Sequence, residues 1–227
     1  MTVRAREQAR RLELEGPGEA ADLAAFLGRL VHYDRAAAVR LQARGGALAV
    51  FGRPPSFEVL AVRTARLARP AALDVTVSAG ELLEAIDEQA GALRVPDAVT
   101  GPPWAGVLPP HGGWQQVEGM PDAAALREVV AAAVAEFRAR DEELAPEERT
   151  RAARDRIGRD IWSRTLAGTQ LPLRAVHAAQ SLGFLRPGVP VALLVAGNWL
   201  RLRTPYGSVS VRTAASAGLG SLAVAPV

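Results

Sequence analysis

The chain predicts an α+β fold: two lobes, each with helices packed on an antiparallel β-meander, joined by a Pro/Gly/Trp-rich connector. Three observations carry this. Apolar residues recur at helical spacing in some segments (Leu23, Phe26, Leu27, Leu30) and alternate in others (Leu200 and Leu202 around Arg201). Ser78-Ala79-Gly80-Glu81 is a capping box placed where an alternating run meets a helical one. Between residues 96 and 121, prolines and glycines exclude long helices and central strands. The expected organisation is an N-terminal charged helix or arm (1–18), an N-terminal α+β lobe (19–95), the connector (96–120), and a helical block with a C-terminal meander (121–227).

Residues 2–15 read as a charged helix stopped by Gly16-Pro17-Gly18, and Asp22–Val31 as an amphipathic one. Val39, Leu41 and Ala43 then alternate with Arg40, Gln42 and Arg44. Gly45-Gly46 reads as a two-residue hairpin turn, with Leu48 and Val50 on the return strand. Phe57–Leu67 supplies a third strand and Leu73–Val77 a fourth. The capped helix runs from Ser78 to about Ala90. Trp104 and Trp114 pin the connector as an ordered segment.

Leu126, Val130, Ala133 and Phe137 form a helical stripe within 121–144. A second helix starts at Pro146, where Glu147 and Glu148 favour the first turn, and i,i+4 pairs such as Arg151–Asp155 and Arg156–Asp160 are expected along it. Leu173–Leu185 is a third helix. Val189–Ala196, Trp199–Thr204 and Ser208–Arg212 form a meander around Gly197-Asn198, and the last fifteen residues read as a further strand or a tail.

Every basic residue is an arginine; lysine and cysteine are absent. That removes Schiff-base chemistry, a Walker-type phosphate loop, thiol nucleophiles and thiolate metal sites. His32, His111 and His177 lack metal spacing, and no nucleophile elbow or dinucleotide fingerprint is present. No catalytic, cofactor-binding or metal residues are assigned, and no cofactor is expected. The N-terminus lacks the apolar core of a signal peptide and no run is long enough to span a bilayer, so the expectation is a cytoplasmic protein without membrane insertion.

Charge is unevenly spread. Residues 1–110 hold 13 arginines and 13 acidic residues, residues 111–145 hold 3 and 7, and residues 146–227 hold 11 and 4. Asp160 is the last acid, yet Arg164, Arg174, Arg186, Arg201, Arg203 and Arg212 follow it. Strand alternation puts Arg201, Arg203, Arg212, Ser208 and Ser210 on one sheet face, an array suited to phosphate or carboxylate. A solvated face paired internally with Asp141–Glu148 fits the same residues. Arg174, His177 and Ser181 share a helix face in a helix–turn–helix–hairpin order of winged-helix type, or belong to a plain helical lobe.

The order helix, three-strand meander, strand, capped helix in residues 22–90 is similar to one subdomain of the DNA sliding clamps. Clamp subdomains are repeated, and Val39, Gly45 and Leu48 match Val191, Gly197 and Leu200 at a constant offset. The three-helix block at 121–185 departs from the clamp pattern, and no residue role is carried over. The expected function is a non-enzymatic binding protein whose C-terminal arginines dock an anionic partner, nucleic acid before others. The alternative is a protein-interaction module, including a homodimer, that uses meander edges or Trp104 and Trp114 of the connector. A cofactor-free hydrolase is the minor alternative.

Overall fold

The computed structural model describes residues 11–213. Most of the expected N-terminal helix and the last fourteen residues lie outside that range. Within it, Arg11–Glu13 form strand β1 and not helix, because Leu12 and Leu14 are both buried and pair as a strand does. Helix α1 (Pro17–Tyr33) follows, with Pro17 in its first turn and Leu23, Phe26, Leu27 and Leu30 in the core.

The N-terminal meander is a long hairpin instead of three strands. Strand β2 runs unbroken from Ala38 to Gly52, and β3 from Leu60 to Ser78. Gly45-Gly46 is an irregularity in their pairing, not a turn. The inward residues of β2 are odd-numbered before it (Val39, Leu41, Ala43) and even-numbered after it (Leu48, Val50). A bulge flips side-chain parity as a turn does, and Gly45 takes the positive φ of 60° it requires. The offset match to Gly197, a true hairpin turn, therefore joins two different structures.

Ser78 caps helix α2 (Ala79–Glu84) as expected, its Oγ accepting from the Glu81 amide. That helix ends early, and Ile86–Asp87 (β4) pairs with Ala92–Arg94 (β5) in a small sheet that includes β1. The connector holds a 3-10 turn, Pro103–Gly106, and a short strand, β6 (Gln115–Val117). Helix α3 (Ala123–Glu142) is capped by Asp122. Helix α4 (Arg151–Ser163) starts at a Thr150 cap, five residues later than Pro146 suggested. Helix α5 (Leu173–Ser181) leads to β7 (Ala192–Ala196), β8 (Trp199–Thr204) and β9 (Gly207–Arg212).

Each lobe thus has helices on antiparallel strands. The strands also join edge to edge: Leu60–Val62 of β3 pair with Ser208–Ser210 of β9, giving one six-stranded sheet in the order β2-β3-β9-β8-β7-β6. Its inner face carries the continuous core, in which Phe26, Leu41, Leu48, Ile161, Val176, Leu202 and Val209 meet. A charged hub reinforces the seam. Arg63, 5% exposed, pairs with Glu19 at 3.3 Å and Asp22 at 3.2 Å and donates to the Pro205 carbonyl. Asp22 also takes Arg186 at 3.0 Å, and that guanidinium lies 3.6 Å from the Tyr206 ring centroid.

Candidate anion-binding face

The inner residues of β8 and β9 (Leu200, Leu202, Val209, Val211) are buried against α5. Alternation therefore turns Trp199, Arg201 and Arg203 of β8, and Ser208, Ser210 and Arg212 of β9, to the outer face. Cross-strand register fixes their neighbours: Arg201 opposes Ser210 and Leu194, Arg203 opposes Ser208 and Ala192, and Trp199 opposes Arg212 and Ala196.

The face is less open than an array of outward polar side chains. Ser208 is 8% exposed and Ser210 is fully buried, so neither hydroxyl is displayed to solvent. The cause is apolar cover: Phe51, Leu60 and Val62 form a second cluster on this face, and Trp104 and Leu108 of the connector pack on it. The connector straps across the shared sheet. Trp114 anchors its far end, its indole N–H donating to the Pro110 carbonyl at 3.0 Å.

Arg201 is half-buried in this setting. Its guanidinium lies 4.1 Å from the Trp114 ring centroid, and its Nε donates to Ser210 Oγ at 3.3 Å. No carboxylate pairs with it among the described residues. Burial, with the charge of Arg203 adding to it, pushes its pKa down to about 10. Arg203 is exposed and has no ion pair among the described residues. Arg212 is also exposed, 5.7 Å from the Trp199 ring centroid. The internal pairing with Asp141–Glu148 does not form: Asp141 takes Arg154 at 2.8 Å. Among the described residues this face holds three arginines without an anion, next to two tryptophans. Trp199 was not singled out in the sequence, although its alternation with Arg201 and Arg203 placed it there.

The helical candidates are elsewhere. Helix α5 packs on the inner sheet face with Ala175, Val176, Ala178 and Ala179 buried, and none of its residues is fully exposed. His177 stacks on Trp162 at 4.3 Å and meets Phe57 edge-on at 5.1 Å. Burial lowers its pKa. Arg174 and Ser181 are half-buried on the same helix, and the Arg174 Nε has no hydrogen-bond partner among the described residues. The expected pair Arg156–Asp160 is also absent. Asp160 binds Arg140 and Arg164, and Arg164 grips Glu136 at 2.7 and 2.8 Å. Those contacts hold the Asp160 and Glu136 carboxyls below their ordinary range. Among the described residues no cluster of His, Asp or Glu could hold a metal ion, and no helix is long and apolar enough to cross a membrane.

Fold and site together define a class: an α+β chain with one shared antiparallel sheet, helices on one face and a strapped basic–aromatic face on the other. Residues 7–106 match a family model described as a domain of unknown function (DUF8010). Residues 109–216 match a second, described as a domain of unknown function (DUF8185). The two matches meet inside the connector. No curated protein matches the chain. Among solved structures, the DNA polymerase sliding clamp from Pseudomonas aeruginosa is similar at 13% identity and a TM-score of 0.48, over 95% of this chain and 67% of that one. The same clamp with ligand is similar at the same values, over 92% and 66%. The chain spans about two thirds of the clamp's length.

Proposed function

We propose that the protein is a non-enzymatic binding module that docks an anionic partner, nucleic acid, on the outer face of β8 and β9 through Arg201, Arg203 and Arg212. One observation carries this reading: Arg201 is half-buried beside Arg203 with no carboxylate to neutralise either. Holding a half-buried guanidinium beside a second, exposed one costs free energy, and a bound phosphate offsets that cost by bidentate hydrogen bonding. Nucleic acid repeats phosphates at a spacing that rewards several arginines at once.

The test is fluorescence anisotropy with labelled oligonucleotides at low salt, comparing the native chain with Arg201→Ala/Arg203→Ala and with Arg156→Ala. Arg156 is an exposed arginine on α4, on the opposite side of the sheet. The reading predicts weakened binding in the double variant and little change in Arg156→Ala. Equal loss in both would mean diffuse charge, and the site assignment would fail.

A second reading has its own observation. Strand β2 is an edge of the sheet along all of Ala38–Gly52, with no strand on its outer side among the described residues. Such an edge favours self-association or a peptide partner by strand addition. Light scattering over a concentration series, with Ala47→Pro as the edge-blocking variant, tests it.

A further inference from the structure

The outer face carries more than charge. Three of the four tryptophans lie on it, and two of them have an arginine against the ring: Trp114 under Arg201 and Trp199 beside Arg212. Trp114 leads into β6 and Trp199 opens β8, two strands apart in the sheet order, or about 10 Å across the face by strand spacing. Both rings are half-buried, and Gln116, which opposes Leu194 on the same face, is exposed. Nucleobases stack on aromatic rings and guanidinium planes alike.

We propose that this face takes single-stranded nucleic acid, with bases stacking on Trp199 and on the Arg201–Trp114 pair while Arg203 and Arg212 hold phosphates. The inference rests on the anion-binding reading above and names the form of its partner. Duplex is disfavoured for two structural reasons. Its bases are stacked on each other and cannot use the rings. The helix expected to enter a groove, α5, is packed into the core.

A polyanion without bases separates this inference from the reading beneath it. We would measure binding of the full chain to labelled oligo(dT), to a duplex of equal length, and to inorganic polyphosphate as a competitor. The variants are Trp199→Ala, Trp199→Phe and Arg201→Ala/Arg203→Ala, each checked by circular dichroism for native helix content. The expected result is about tenfold loss of oligo(dT) affinity in Trp199→Ala, recovery in Trp199→Phe, and no change in polyphosphate competition with either. The arginine double variant should lose both ligands. Duplex binding as tight as oligo(dT), or Trp199→Ala lowering no affinity, overturns the single-strand inference and leaves the anion-binding reading intact. Failure of every polyanion to bind at low salt overturns both, and leaves a protein partner for the same tryptophans and arginines. A Trp199→Ala chain without native circular dichroism shifts the decision to Trp199→Phe against Trp199→Leu, where only Leu should lose oligo(dT).

Discussion

Replacing Arg63 by methionine should destabilise the fold while leaving its volume nearly filled. Arg63 sits at 6% side-chain exposure between Glu19 at 3.3 Å and Asp22 at 3.2 Å, and donates to the Pro205 carbonyl at 3.1 Å. Removing one partner of a buried ion pair costs about 3–5 kcal/mol when the other is stranded. Here neither carboxylate is stranded: Glu19 keeps Arg66 at 3.2 Å and Asp22 keeps Arg186 at 3.0 Å. The loss should therefore be about 2 kcal/mol, a fall of roughly 1 M in the urea midpoint at an m-value of about 2 kcal/mol/M. Because Arg63 reaches from β3 to α1 and to the β8–β9 turn, the transition should stay single. A double-mutant cycle with Asp22→Asn should give a coupling energy of about 1 kcal/mol. A midpoint shift below about 0.2 M, or additive effects, would refute the claim that this hub ties the lobes.

Two further perturbations test the packing. Gly207 opens β9 at φ 154°, and a Cβ there would lie 2.5 Å from the Phe184 ring, so Gly207→Ala should cost about 2–4 kcal/mol in urea unfolding. Burial lowers the His177 pKa, so the unfolded chain binds a proton that the folded chain resists. Stability should therefore be full above the ordinary imidazole value of about 6.5 and fall as the pH drops below it. His177→Phe, which keeps a ring against Trp162, should flatten that slope between about pH 5 and 7; an unchanged slope would remove His177 as its source.

Much of the fold was legible locally. The Ser78 capping box, the Leu126–Val130–Ala133 stripe and the alternation in β8 and β9 all report short-range physics, and each appears in place. The N-terminal hairpin is not legible locally because Gly45-Gly46 flips the inward parity as a turn would; only the pairing partner distinguishes the two. The joining of β3 to β9 rests on contacts between residues about 150 apart and leaves no local trace. At the site, alternation put Arg201 and Arg203 on one face, but the burial of Ser208 and Ser210 depends on Phe51, Leu60 and Trp104, which are remote in sequence. His177 looked like a surface reader because its aromatic neighbours, Phe57 and Trp162, come from other elements.

The most direct test of the central claim is the salt dependence of oligonucleotide binding. Three phosphate contacts on a single strand give a slope of about −2 in log affinity against log salt. The native chain should show that slope, and Arg201→Ala/Arg203→Ala/Arg212→Ala should bring it near zero. A slope unchanged in the triple variant would contradict the assignment of the outer sheet face as the anion-binding surface.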